Sequence, residues 1–158
     1  MLVSIAIEAE GSPHIDRESL KLLVRPVTAS NGWRADERSA IDGCGEVGIA
    51  TRRSDGTLRA ARIVWIVRHG NAVYVRSVHG TTAAWYRGVQ TCHQGELSAG
   101  RLQRGVVFAE AGAHAGEGRE LDDALDGAYR GKYGRSSSAV ARITADVARA
   151  TTLRVDPA

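Results

Sequence analysis

Short runs rich in apolar and β-branched residues follow one another between positions 47 and 110, and such runs bounded by turn residues are typical of β-strands. Clusters of turn residues divide the stretch, and a short alternating run follows near the end of the chain. The pattern predicts six strands, at residues 47–53, 58–67, 72–78, 96–99, 102–110 and 151–155. The first three form a meander, and the fourth and fifth form a hairpin that turns at Gly100 and Arg101.

Helical periodicity appears before, between and after these strands. It predicts helices at residues 33–41, 83–91 and 121–133, and a further helix through residue 149 that Ser137 or Ser138 caps. Asp122, Asp123 and Asp126 are expected to favour the N-terminal part of the third helix through its dipole. Strands and helices do not alternate as βαβ units. The order therefore favours a mainly β (α+β) fold, a small antiparallel barrel with peripheral helices.

The first 32 residues follow a different pattern. An alternating run at 3–7 leads through Gly11, Ser12 and Pro13 to an apolar stretch at 20–27. We expect an N-terminal extension at 1–32, either an added strand and helix or a flexible segment, and a main domain at 33–158. The N-terminal residues have no basic region followed by a long apolar core, and no run approaches the roughly 18 apolar residues of a membrane span. A cytoplasmic location without membrane contact is expected.

The charge is unevenly distributed. The 158 residues are 43% hydrophobic and 25% charged, as in an ordinary globular domain, and carry a net charge of +3. Nine arginines lie between positions 50 and 105 against Asp55 and Glu96, so this segment carries +7 and the rest −4. The segment predicts a site for an anion. Two cysteines without a CxxC spacing and five histidines without ligand spacing predict neither a disulfide framework nor a metal site.

Four of these arginines, Arg52, Arg53, Arg59 and Arg62, surround one predicted turn. The planar guanidinium binds phosphate and carboxylate groups through two parallel hydrogen bonds, so a cluster at one end of a sheet suits an acidic ligand. The alternative is a solvated strand surface in a chain that uses arginine in place of lysine. The residues alone favour neither interpretation.

The segment that follows the third strand joins a strand end to a helix start. Gly80 lets the backbone approach a ligand closely, and free amides at such a junction attract anions. Trp85 and Tyr86 can form the wall of a site for a planar ring, and His79, at the end of a strand, is the histidine best placed for acid–base chemistry. His79, Tyr86 and Tyr133 are the candidate acid–base residues, although each also has an ordinary interpretation, as a loop residue or as packing in the core.

Several segments resemble the bacterial domain-of-unknown-function family 2255. They are residues 49–59 (IATRRSDGTLR), 73–77 (VYVRS), 84–87 (AWYR), 104–108 (RGVVF), 128–134 (AYRGKYG) and 150–154 (ATTLR). The resemblance covers about 33–157. More distantly, the basic turn, the Ser-x-x-Gly loop at 77–80 and the Trp85-Tyr86 pair resemble split-barrel nitroreductases that use a reduced deazaflavin.

This second resemblance implies a six-stranded antiparallel split β-barrel, a homodimer, and a reduced deazaflavin or flavin mononucleotide (FMN) as cofactor. The arginines around the basic turn would hold the cofactor's phosphate and acidic tail: Arg52, Arg53, Arg59 and Arg62. The loop and the aromatic pair would surround its ring system: Ser77, Val78, His79, Gly80, Trp85 and Tyr86.

Three functions compete. The first is an oxidoreductase that uses a deazaflavin or a flavin on a small-molecule substrate. The second keeps the same pocket without a cofactor, as a metabolite-binding protein or a cyclase or isomerase. The third is nucleic-acid binding, suggested by the basic isoelectric point, but the chain has only eight aromatic residues and two lysines, so a stacking surface is poorly supplied. We therefore expect a small-molecule partner and no nucleic acid.

Overall fold

The structure of the chain is a computed structural model that describes residues 32–134 and 137–158. The predictions for residues 1–31 lie outside the described residues. The described α-helices are α1 (Ala35–Asp42), α2 (Ala84–Thr91), α3 (Glu120–Tyr133), α4 (Ser138–Ile143) and α5 (Asp146–Arg149). The strands are β1 (Val47–Thr51), β2 (Arg62–Val64), β3 (Ile66–His69), β4 (Ala72–Val75), β5 (Gln94–Ala99), β6 (Leu102–Glu110) and β7 (Leu153–Pro157).

All seven strands form one antiparallel sheet in the order β2-β1-β5-β6-β7-β4-β3. The two edges, β2 and β3, are consecutive in the chain and are separated only by Trp65. One continuous stretch of chain therefore pairs with both ends of the sheet and nearly closes it into a barrel. The predicted barrel with peripheral helices is confirmed, but its strand number was wrong. The predicted strand at 58–67 is interrupted at Trp65, which gives seven strands instead of six.

The barrel is filled by the inward side chains of alternating strand residues. Val47 and Ile49 of β1 and Leu97 of β5 are completely or almost completely buried. Phe108 of β6 and Val155 of β7 complete this part of the core, with further members on the other strands. Burial alternates clearly along β5 and β7, whereas all five residues of β1 are buried.

The residue just before α1 is attached to the last strand of the sheet. Trp33, just before α1, is buried, and its indole N–H donates a hydrogen bond to the Val155 carbonyl over 2.8 Å. The Arg34 backbone N–H donates to the Glu37 carboxylate at 3.0 Å, which satisfies one amide at the start of α1. The hydrogen bond between Trp33 and Val155 thus fixes the residue before α1 to the last strand.

A second apolar cluster lies between the outer face of the sheet and α3. It contains Val67, Tyr74, Leu125, Tyr129 and, from α4, Ile143. Gly134 ends α3 with a φ of +95°, a conformation that a residue with a side chain rarely adopts. The chain then continues into α4, whose first turn Ser137 caps by accepting the Val140 N–H at 3.0 Å. The helix predicted through residue 149 is divided into α4 and α5.

Candidate functional site

A cavity of about 540 Å³ lies beside the barrel, between β2, the segment after β4, the start of α2, and α4. Its walls are mainly apolar, with charged residues from four separate segments of the chain. The lining residues are Glu46, Arg62, Ile63, Val64, Trp65, Arg76, Ser77, Val78, His79, Ala83, Ala84, Trp85, Ala139, Arg142 and Ile143. The volume lies within the range of about 300–1,000 Å³ that small-molecule sites occupy.

The segment after β4 supplies the deep wall of this cavity. Ser77 is 1% exposed, and its backbone N–H donates to the Thr151 hydroxyl at 2.8 Å. Its own hydroxyl is buried and has no hydrogen-bond partner among the described residues, and Ser77 is one of the residues that line the cavity. Most buried polar side-chain atoms in proteins have a partner. This orphaned hydroxyl is therefore suited to a polar atom of a ligand.

The residues next to Ser77 have different exposures. Val78 is half-buried, whereas His79 is exposed; both line the cavity. Gly80 does not line it and begins a 3₁₀ turn, Gly80–Thr82, with a φ of +67°. A Cβ atom at Gly80 would lie 2.4 Å from a methyl group of Val147 on α5. Gly80 is thus required by the close approach of the two segments.

The aromatic pair of α2 is divided between two environments. Trp85 is half-buried and faces the cavity, whereas Tyr86 is buried against the barrel core and does not line the cavity. The two rings meet edge to face with 6.2 Å between centroids. The Tyr86 hydroxyl points to Glu110 at 3.5 Å, at the end of β6. Burial raises the pKa of Tyr86, and the Glu110 carboxylate adds to this effect.

Glu110 is the centre of a small polar cluster outside the cavity. Its carboxylate accepts the Gln90 amide at 2.8 Å and lies 2.8 Å from the His114 Nε2. Burial opposes the ionisation of Glu110, but the hydrogen bonds from Gln90 and His114 outweigh it and lower the pKa of this carboxyl group. Tyr86 and Glu110 therefore belong to one network that connects α2 with the end of β6.

Three of the four arginines around the predicted turn bind that turn itself. The Arg52 guanidinium donates to the Gly56 carbonyl at 2.7 Å, and Arg53 donates to the Leu58 carbonyl at 3.1 Å. Arg59 is half-buried and donates to the Arg52 carbonyl at 3.2 Å. None of these three lines the cavity, whereas Arg62 on β2 does.

Arg76 also lines the cavity, but its charge is compensated inside the protein. Its side chain is completely buried and forms an ion pair with Asp126 of α3 at 2.6 Å. It also donates to the Thr152 hydroxyl at 3.0 Å and to the Asp122 carbonyl at 3.1 Å. Asp122 and Asp126 are therefore buried partners of Arg76, and the prediction that they only favour the helix dipole was incomplete. Arg149 of α5 forms a second ion pair with Asp126.

Tyr133, the third candidate acid–base residue, lies at the interruption between β2 and β3. Its ring stacks on Trp65 with 4.0 Å between centroids. Its hydroxyl donates to the Gly45 carbonyl at 2.6 Å and accepts the Ile66 N–H at 3.1 Å. Burial raises the pKa of Tyr133 to about 12, against the lowering effect of the hydrogen bond with Ile66. Tyr133 does not line the cavity.

Sequence reasoning missed several cavity residues. Ile63 is 65% exposed although it is strongly apolar, and Trp65 and Glu46 lie nearby. The most informative omission is Arg142, because it brings a positive charge to the cavity from a helix far along the chain. The +7 segment ends before this residue, so the charge count could not indicate it.

Two further findings concern the residues 32–134 and 137–158. No group of three or more histidine, cysteine, aspartate or glutamate side chains in this part of the chain is arranged to hold a metal ion. No helix within it combines the length and the apolar character needed to cross a membrane.

Comparisons with known proteins connect the chain to one family. Residues 37–155 match the sequence profile of the family described as "Uncharacterized protein conserved in bacteria (DUF2255)". No curated protein sequence matches the chain.

Solved structures with a related chain path share little sequence with this protein. The conserved hypothetical protein Rv2991 from Mycobacterium tuberculosis has 12% identity and a TM-score of 0.48 over 80% of this chain and 79% of its own. A candidate pyridoxamine 5'-phosphate oxidase from Listeria innocua has 7% identity and a TM-score of 0.47 over 76% of this chain and 87% of its own.

Proposed function

The chain belongs to the bacterial family DUF2255, and from the cavity of this member we propose that it binds a flavin or deazaflavin and acts as an oxidoreductase on a small molecule. The observation that carries the proposal is the buried Ser77 hydroxyl, which lacks a partner among the described residues and belongs to a residue that lines a cavity with an indole wall. A flat heterocycle offers both the apolar faces and the edge acceptors that such a site can satisfy.

The cavity residues fit such a cofactor. Trp85, Val78 and Ile63 provide apolar contact for a ring, and Ser77 can donate to a ring oxygen or nitrogen. Arg62 and Arg142 provide cations for a phosphate or carboxylate tail. The proposed tail site thus uses Arg62 from the turn-region cluster, together with a helix residue, in place of Arg52, Arg53 and Arg59.

When bound, a reduced flavin or deazaflavin supplies a hydride, and the accepting substrate also takes up a proton. In the proposed mechanism, the chain orients the ring through the Ser77 hydroxyl, and Trp85 excludes water from one side. His79 lines the same cavity from an exposed position, where its imidazole nitrogen can exchange a proton with solvent. Tyr86 and Tyr133 have no direct role in this mechanism, because both lie outside the cavity lining.

The test is a titration of the purified protein with FMN and with a reduced deazaflavin, followed by cofactor and tryptophan fluorescence. We expect saturable binding that Ser77→Ala weakens by roughly tenfold, since the variant removes one hydrogen bond to a buried polar group. Because the Ser77 hydroxyl has no described protein partner, the variant and the natural protein should unfold at the same denaturant concentration.

Ser54→Ala is the matched control, because Ser54 is exposed in the turn and lies outside the cavity lining. It should change neither binding nor stability. Absence of binding of both cofactors to the natural protein would refute the oxidoreductase proposal.

One observation favours a second candidate function. The predicted phosphate-binding arginines Arg52, Arg53 and Arg59 donate to their own turn and do not line the cavity. A smaller acidic metabolite, bound without a cofactor by a binding protein, cyclase or isomerase, needs only the cations at the cavity. His79 is then the candidate acid–base residue. This alternative predicts that the protein purifies with a bound colourless ligand and binds neither cofactor.

A further inference from the structure

The cavity has an uneven distribution of charge along its wall. Arg62 projects from the edge strand β2, and Arg142 belongs to α4. These two elements are separated by about half of the chain, and the fold brings both arginines to one cavity. Both residues are exposed, and neither guanidinium group forms an ion pair or a hydrogen bond with another described residue. Their donors are therefore available to a ligand.

The other charged groups of the wall do not cancel this excess. Arg76 is neutralised by its buried contacts with Asp126 and Asp122. Glu46, just before β1, is the single carboxylate of the lining, against the two arginines Arg62 and Arg142. The cavity thus carries a net positive charge.

The second independent feature is the Ser77 hydroxyl. It is buried, belongs to a residue of the lining, and has no partner among the described residues. A ligand that satisfies this site needs a hydrogen-bonding atom at Ser77, an apolar body against Trp85 and Ile63, and an acidic group for the arginines. A neutral ring of the same shape satisfies only the first two requirements.

We infer that Arg142, together with Arg62, forms an oxyanion subsite of the cavity that selects ligands bearing a phosphate, sulfonate or carboxylate group. This inference deepens the proposed function, because it rests on the cavity being the ligand site. It assigns ligand specificity to Arg142 of α4. The side chains of Arg52, Arg53 and Arg59 donate instead to carbonyls of their own turn. The shared chemistry is a planar or apolar body with one oxyanion group.

The experiment uses two matched pairs of probes. FMN and riboflavin differ by the phosphate, and 8-anilinonaphthalene-1-sulfonate and N-phenyl-1-naphthylamine differ by the sulfonate. Binding of all four is measured by fluorescence titration with the natural protein and with the variants Arg142→Gln and Arg62→Gln. A flavin with a carboxylate in place of the phosphate tests whether the subsite distinguishes the two groups.

We expect each variant to weaken binding of the charged member of a pair by about tenfold, which corresponds to about 1.4 kcal/mol, and to leave the neutral member unchanged within about twofold, since the variant removes a charge-assisted hydrogen bond. Arg142→Lys should restore part of the affinity, because it keeps the charge but loses the planar fork. Added salt should weaken the charged probes selectively.

Arg101→Gln is the control. Arg101 is exposed in the turn between β5 and β6 and does not line the cavity, so the variant removes the same net charge elsewhere. It should not change the affinity of any probe. Equal weakening of the charged and neutral members, or an equal effect of Arg101→Gln, overturns the oxyanion subsite.

The two pairs separate the two proposals. If both flavins fail to bind while the sulfonate probe binds in an Arg142-dependent way, the subsite stands and the flavin function falls. If FMN and riboflavin bind equally well and no variant separates them, the flavin function stands and the subsite is refuted.

Discussion

At the scale of single residues, the arginines of this protein divide by what their guanidinium groups contact. Arg76 is buried with two carboxylates, Arg52 and Arg53 bind an exposed turn, and Arg62 and Arg142 line the cavity. The charge count of the sequence included Arg52, Arg53, Arg62 and Arg76 in one +7 segment and left Arg142 outside it. Their different roles depend on partners that lie far away in the chain, such as Asp126, 50 residues from Arg76.

Arg76→Met is therefore expected to lower the free energy of unfolding by about 3–5 kcal/mol, because it leaves the carboxylates of Asp122 and Asp126 buried without this counter-charge. Urea unfolding followed by circular dichroism measures the change. Arg68→Met is the matched control: Arg68 pairs with Asp42 at 2.6 Å on the surface, where an ion pair is worth about 1 kcal/mol or less.

Similar losses for the two arginine variants would mean that the Arg76 cluster does not behave as a buried ion pair. If Arg76→Met does not fold, Asp126→Asn provides the second measurement. It keeps the size of the side chain and removes one charge that Arg76 and Arg149 share. It should also lower the free energy of unfolding.

At the scale of elements, the sequence predicted those whose signal is local. The predicted strand at 102–110 coincides with β6, and the predicted helix at 83–91 matches α2 to within one residue. The interruption at Trp65 was missed because Trp65 lies within an unbroken apolar run, residues 63–67, in which no turn residue marks a break. The stacking of its ring on Tyr133, 68 positions along the chain, supplies the tertiary contact that no local pattern reveals.

The strand interruption gives a test of the role of Tyr133. Tyr133→Phe keeps the ring that stacks on Trp65 but removes the hydroxyl that accepts the Ile66 N–H. We expect the free energy of unfolding to fall by about 1–3 kcal/mol, because a backbone amide loses its partner. Ligand affinity in the cavity should stay unchanged, since Tyr133 does not line it.

Tyr74→Phe is the control for Tyr133→Phe, because no described residue forms a hydrogen bond with the Tyr74 hydroxyl; it should have little effect on stability. A Tyr133→Phe variant of unchanged stability that loses ligand binding or turnover would instead support the predicted acid–base role of Tyr133.

At the scale of the whole molecule, the fold creates the candidate site by bringing separate segments together. The loop residues Ser77 and His79 and the indole of Trp85 were predicted as neighbours because they are close in the chain. Arg142 could not be predicted, because its place at the cavity depends on the path of α3 and α4 around the barrel. The grouping of residues that are close in the chain can thus be predicted from the sequence. The meeting of residues that are distant in the chain requires the three-dimensional fold.

A property of the whole fold is the protection of its tyrosines from ionisation. Burial raises the pKa of all four, to about 12 for Tyr133 and upward for Tyr74, Tyr86 and Tyr129. Tyrosines of an unfolded chain ionise near pH 10. Between about pH 10 and 12 the unfolded state therefore binds fewer protons than the folded state, and the free energy of unfolding should fall as the pH rises.

Lys132 has the opposite effect over a lower range. Burial lowers its pKa, so the folded state loses this proton first, and stability should rise slightly as the pH approaches the ordinary lysine value of about 10.4.

The raised pKa values of the tyrosines can be tested by absorbance. Phenolate absorbance of the folded protein should lag behind that of the urea-unfolded protein as the pH rises, and it should increase together with the loss of circular dichroism. Tyr133→Phe should remove one phenol from the late part of this titration. Ionisation of all four phenols near pH 10 in a protein that stays folded would contradict the expected protection.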